Sequence, residues 1–182
     1  NYNEHAIEMG EEKAPENILV FTKPPTAIAA DEATLPIHAS KTEKLDYEGE
    51  LAIVIGKRGQ NIPKALAFDY IFGYTIGNDI SARDVQYRHG QYFLGKSLDG
   101  TCPLGPYLVS KDEIPDPQNL SIVTKVNGEI RQNSSTKHMM FPVADIISDS
   151  TITSLQTPQM YDSVYPSSVQ VGSLPSIRTR SL

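Results

Sequence analysis

Two glutamates, Glu48 and Glu50, stand two positions apart just before the apolar run LAIVIG, inside the segment LDYEGELAIVIGK at Leu45–Lys57. The run reads as a strand, and residues i and i+2 of a strand face the same way. A strand over Leu45–Ile55 therefore carries both carboxylates to one side, beside buried apolar neighbours. Two bare carboxylates held close at the edge of a core repel each other. A proton on one of them, or a cation between them, removes the conflict. A second apolar run leads into NDISARDVQ at Asn78–Gln86 and ends in Asp79. A third carboxylate delivered there completes an all-oxygen set suited to Mg2+, Mn2+ or Ca2+. From pattern alone the three are also readable as surface carboxylates on strand edges, the commoner fate of Glu and Asp.

The surroundings of this stretch narrow the class of molecule. A chain of 182 residues fits one medium domain with a real core. Its formal net charge of −6 speaks against nucleic acid or an anionic membrane as a partner. The single cysteine, Cys102, excludes a disulfide framework and a thiolate zinc cluster, and its apolar setting reads as a packed thiol. No apolar run approaches a membrane span, and no basic and then apolar opening marks a secretory signal. A soluble cytoplasmic protein is the expectation.

Along the chain the pattern predicts a β-rich α+β fold with non-local strand pairing. NYNEHAIEMG is compatible with a short helix, and NILVFTK is an extended piece ended by Pro24 and Pro25. The stretch from Ala29 to Lys44 is polar and poorly periodic. PKALAFDYI places proline at a first helical position ahead of helix formers. FGYTIGNDIS reads as a strand, ARDVQYRHGQYFLGKS as helix then loop, and CPLGPYLVS as a strand punctuated by Gly and Pro. SIVTKVNGEIRQ holds an Asn-Gly pair between alternating flanks, a strong hairpin signal. MFPVADIIS reads as a short amphipathic helix. From Asp149 to Leu182 the composition turns to Ser and Thr, without Lys or Glu, and reads as a tail.

Other side chains have two readings each. His5 and Glu8 are three apart and share a helix face, as a general base and its orienting carboxylate do, or they lie on a solvated face. Arg83 and Lys96 flank the carboxylates and suit an anionic substrate, or they pair with Asp84 and Asp99. Gln86 suits a carbonyl or carboxylate, or is simply exposed. Lys23 precedes a proline, so its backbone is extended, but its direction is not readable. Tyr47 and Tyr74 read as core or half-buried strand residues, and His38, His89 and His138 lack ligand-like spacing.

The order NYNEHAIEMG, VFTKPP, LDYEGELAIVIGK, FGYTIGNDISARDVQ, FLGKSLDGTCPLGP and VNGEIRQ resembles the fumarylacetoacetate hydrolase family from Asn1 to about Asp145. The resemblance is strongest to the bacterial branch acting on small 2-oxo acids, including oxaloacetate decarboxylase-like members. It implies a mixed β-roll or sandwich-like domain of the family's C-terminal type over residues 1–148, followed by a divergent segment over 149–182, and usually a homodimer. It implies metal ligation by Glu48, Glu50 and Asp79, with Mg2+ or Mn2+ preferred and Ca2+ also accommodated. It assigns His5, Glu8 and Lys96 to catalysis, and Lys23, Arg83 and Gln86 to binding a small anionic 2-oxo acid. The implied reaction is metal-dependent C–C bond cleavage through a stabilised enolate, either acylpyruvate or fumarylpyruvate-type hydrolysis or oxaloacetate-type decarboxylation.

Two departures from the family pattern accompany the match. The strand that usually precedes the NY motif is not in this sequence. After FPVADII, SLQTPQMYDSVYPSSVQVGS stands where the family continues with a TGTP-type strand and loop that lines the pocket. A fold incomplete at both ends, with unpaired strand edges, is the expectation. A second functional expectation goes with it: an impaired family member that retains only metal or oxo-acid binding.

Overall fold

The computed structural model describes residues 1–2 and 15–152, with the backbone of the strand at 159–162. In chain order the strands are β1 (Ile28–Ala30), β2 (Leu45–Asp46), β3 (Gly49–Ile55), β4 (Ile71–Asn78), β5 (Ser81–Ala82), β6 (Cys102–Leu104), β7 (Val109–Ser110), β8 (Ser121–Val126), β9 (Glu129–Ser135) and β10 (Gln159–Asp162). The α-helices are α1 (Arg83–Arg88), α2 (Tyr92–Lys96) and α3 (Val143–Ser150). Strand-rich α+β is thus the fold, as the sequence predicts.

The segment after Glu48 becomes the inner strand β3, antiparallel to β4, with Leu51 opposite Ile76 and Ile53 opposite Tyr74. These four side chains lie on one face and, with Ile55, Ile62, Ile122, Val143, Ile146 and Ile147, form the apolar core. The opposite face of the same strands carries Glu50, opposite Gly77, and Ala52, opposite Thr75. Both faces of β3 are therefore buried, one by hydrocarbon and one around carboxylates. The six-stranded mixed sheet runs β1-β6-β4-β3-β10, with β7 also pairing β4. β1 and β6 are parallel, while the other pairs are antiparallel.

The VNGE turn folds as the sequence predicts. Asn127 and Gly128 both have positive φ, 53° and 85°, the combination that a two-residue turn matching strand twist requires. β8 and β9 pair across it, with a register irregularity after Thr124. Helix α3 also forms where expected, burying Val143, Ile146 and Ile147.

Several elements differ from expectation. Lys64–Tyr70 is a 3-10 helix, and Pro63 sits one position outside it with extended backbone. Tyr70 must at once accept from the Gly56 amide at 2.8 Å and hand over to β4 at the next residue, which favours a tight connector. FGYTIGNDIS splits into β4 and β5 because the Asp79 and Ile80 amides turn away to the Glu48 and Thr101 carbonyls. CPLGPYLVS splits into β6 and β7, which meet β4 on either side of the cis Gly105–Pro106 bond. The polar stretch from Ala29 begins within β1, and the loop segment ending in GKS contains helix α2. The residues read as a tail contribute β10, which pairs with β3 from Gln159 opposite Ile55 to Asp162 opposite Ala52. That edge of β3 is therefore covered, contrary to the expectation of an unpaired edge. No helix among the described residues is long and apolar enough to cross a membrane.

Candidate metal centre

Glu48, Glu50 and Asp79 converge on the sheet face opposite the apolar core. Each offers a carboxylate oxygen, all lie within 4.8 Å of one another, and all three residues are buried. Strand alternation puts Glu48 and Glu50 on the same side. Asp79 arrives from the end of β4, where its amide donates to the Glu48 carbonyl at 2.7 Å. The Glu48 amide donates to Asn78 Oδ1 at 3.0 Å, and the Gly49 amide to Gln132 Oε1 at 3.2 Å. The turn into β3 is thus fixed from β4 and from the β8–β9 hairpin.

Three cationic side chains enclose this acid cluster. Lys96 Nζ lies 2.5 Å from Glu48 Oε2 and 2.8 Å from Asp79 Oδ2, with its side chain fully buried. Lys23 Nζ lies 2.6 Å from Asp79 Oδ1 and 3.3 Å from the Ile80 carbonyl. Arg83 pairs with Glu48 Oε1 and, through Nε at 2.9 Å, with Asp46 Oδ2. Its Nη1 also donates to Gln86 Oε1 at 3.2 Å. Burial is the largest single effect on the Lys96 ammonium and pushes its pKa down. The charges of Glu48 and Asp79 and the hydrogen bonds to them outweigh it and hold the group above its ordinary value. The same balance, with Glu48 and Asp46 opposing burial, raises Arg83.

These pairings differ from the ion pairs that the sequence suggested. Arg83 and Lys96 do not pair with Asp84 and Asp99. Asp84 instead accepts from Thr42 Oγ1 at 2.5 Å and from the Glu43 and Val85 amides, which pins the loop before β2 to the start of α1. Gln86 is buried, not exposed. Cys102 is a buried free thiol. Tyr74 is buried and Tyr47 half-buried. Asp46, Asn78 and Gln132 were not singled out from sequence. Asp46 was the most findable, since it lies two positions before Glu48 and alternation carries it to the same side. His5 and Glu8 lie outside the described residues; Asn1 and Tyr2 ahead of them are clamped to residues 139–141, with the Asn1 side chain exchanging hydrogen bonds with the Phe141 backbone at 2.8 and 2.7 Å.

The seat of Lys96 depends on a glycine. A Cβ on Gly95 would lie 2.7 Å from Cβ and N of Gln86, because α2 passes directly against α1 there. Gly95→Ala is expected to destabilise the chain by about 1–3 kcal/mol through forced backbone movement. Urea unfolding monitored by circular dichroism measures it, and an unchanged midpoint would show that the helices separate freely.

The sheet thus places three buried carboxylates beside three cationic side chains, a donor set that could hold a metal ion. A family model described as Fumarylacetoacetate (FAA) hydrolase C-terminal matches residues 1–161. The chain belongs to this family. An uncharacterised protein of Staphylococcus epidermidis is 54% identical over 147 residues, covering 81% of this chain and 48% of that protein. The chain thus spans about half the length of the curated relatives it matches. Among solved structures, it resembles a fumarylacetoacetate hydrolase from Exiguobacterium antarcticum, with 40% identity and a TM-score of 0.81, covering 98% of this chain and 64% of that one. It also resembles a 5-carboxymethyl-2-hydroxymuconate delta-isomerase from Mycobacterium smegmatis, with 38% identity and a TM-score of 0.78, covering 93% and 66% respectively.

Proposed function

We infer that this chain belongs to an enzyme that cleaves a C–C bond of a small 2-oxo acid with the help of a divalent cation. The observation that carries this reading is the buried Glu48–Glu50–Asp79 cluster enclosed by Lys23, Arg83 and Lys96. The donor set fits a hard cation: all three donors are carboxylate oxygens, and nothing soft is among them. Glu48, Glu50 and Asp79 would hold Mg2+ or Mn2+, and Ca2+ is also suited to them. When bound, such a cation supplies positive charge that stabilises negative charge developing on oxygen as the bond beside a carbonyl breaks.

The chain's own residues supply orientation and charge. A 2-oxo acid brings a carboxylate into a site whose acid groups repel it, so cations are needed beside it. Arg83 and Lys23 meet that need, and Asp46 holds the Arg83 guanidinium in one orientation through two nitrogens. Gln86 accepts from Arg83 through its carbonyl end, which leaves its amide nitrogen as the donor end for a carbonyl or carboxylate. Lys96, charged and shielded from water, favours negative charge on any oxygen brought beside it. His5 with Glu8 is proposed to take up and return the proton that cleavage requires.

The test is turnover of oxaloacetate and of acylpyruvates, followed by pyruvate release with and without Mg2+ or Mn2+. Metal-dependent release is expected from one of these classes, and Glu50→Gln is expected to lower it about a hundredfold. Full turnover in Glu50→Gln would sink the site. The delta-isomerase resemblance favours a second reading, in which a double bond moves without cleavage. An absorbance change in an unsaturated oxo acid with no pyruvate release would select it.

A further inference from the structure

The acid cluster carries its own counter-ions, and they are not equivalent. Lys96 is locked: it bridges two carboxylates, is fully buried at the end of α2 and lies 5.0 Å from the Phe21 ring centroid. Lys23 is differently placed. It comes from the stretch 15–24, which has no helix or strand, and although buried it meets a single carboxylate, that of Asp79, with a longer hydrogen bond to the Ile80 carbonyl. Phe21, two residues earlier, packs edge-on against Tyr92 at 5.9 Å between ring centroids, which anchors the segment. Both oxygens of Asp79 face an ammonium group, Oδ1 facing Lys23 and Oδ2 facing Lys96.

We propose that Lys23 is a displaceable counter-ion of the carboxylate cluster: it keeps Asp79 in place without metal, and an incoming divalent cation takes its position on Oδ1 and frees its ammonium for an anionic ligand. The proposal rests on the metal-site reading above. Its consequence is a fixed trade. Lys23 stabilises the metal-free chain and, by the same charge, weakens cation binding. Two like charges cannot share one carboxylate oxygen in a site this dry without strong repulsion. Lys96, held by two carboxylates, stays where it is.

Calorimetric titration of Mn2+ into the full chain tests this, alongside melting temperatures with and without Mn2+, for the wild type, Lys23→Met and Lys23→Arg. Lys23→Met is expected to bind Mn2+ about tenfold more tightly, to melt lower than wild type without metal, and to regain most of that loss with metal. Lys23→Arg keeps the charge and is expected to melt near wild type without tightening. A merely structural lysine would lower the melting temperature and leave affinity unchanged or weaker. Unchanged or weaker Mn2+ affinity in Lys23→Met overturns the proposal, as does a Lys23→Met chain that stays unfolded at millimolar Mn2+. If the wild type binds no Mn2+, the metal-site reading itself fails. If the wild type binds it and Lys23→Met binds no tighter, only the counter-ion role fails.

Discussion

Lys96→Met is expected to destabilise the metal-free chain by about 3 kcal/mol or more, the range seen when one partner of a buried ion pair is removed. Methionine fills nearly the same volume as the lysine stem, so packing changes little and the loss reports charge. The Lys96 side chain has no solvent exposure, and its ammonium contacts Glu48 at 2.5 Å and Asp79 at 2.8 Å. Removing it takes one ammonium away from Glu48 and Asp79 and leaves Lys23 and Arg83 as the cationic side chains paired with this cluster among the described residues. Water cannot compensate, because Glu48, Glu50 and Asp79 are each no more than 1% exposed. Against a typical domain stability of about 5–15 kcal/mol, the change is large. Urea unfolding of the two proteins in chelator measures it. A difference below about 1 kcal/mol would mean that these pairs behave like exposed ones. The opposite comparison comes from Lys64–Asp145, a 2.8 Å pair whose lysine is 59% exposed, where Lys64→Met is expected to leave the unfolding midpoint nearly unchanged.

The difference between those two lysines shows what sequence carried and what it did not. Glu48 and Glu50 were legible because strand alternation is local: two carboxylates at i and i+2 ahead of LAIVIG share a face whatever the rest of the chain does. Asp79 was legible as a strand end. The Asn-Gly turn and helix α3 were legible for the same local reason. The direction of Lys23 was not, since it depends on how an irregular segment crosses residues more than fifty positions away. The true partners of Arg83 and Lys96 were hidden likewise. Nearby Asp84 and Asp99 were the natural guesses, but the β2–β5 and β3–β4 registers bring Asp46 and Glu48 instead. β1 is three residues long and parallel to β6, and β10 lies in a Ser/Thr-rich stretch. Neither has a periodic pattern long enough to announce itself. The ordered motifs supplied what local patterns did not, since they fix which distant segments meet.

Between pH 10 and 12 the chain is expected to lose about 2 kcal/mol of stability through Tyr74 alone. Tyr74 lies on β4 opposite Ile53, 2% exposed, within the apolar core. Burial disfavours the phenolate and pushes its pKa up from 10.0 to about 12. Below pH 10 both the folded and the unfolded chain keep the proton, and the full stability is present. Above it the unfolded chain releases the proton while the folded chain retains it, so the unfolded state binds fewer protons and unfolding becomes easier as pH rises. Lys96 adds to the decline in the same direction, since its folded pKa lies above its ordinary 10.5. Denaturant unfolding across this range, for wild type and Tyr74→Phe, separates the two. Phenylalanine should flatten the alkaline decline by about 2 kcal/mol, whereas an unchanged curve would place the sensitive group elsewhere. Tyr74 and Glu50 lie on opposite faces of the same strand pair. The alkaline loss that remains in Tyr74→Phe then comes from groups other than Tyr74, with Lys96 on the charged face among them.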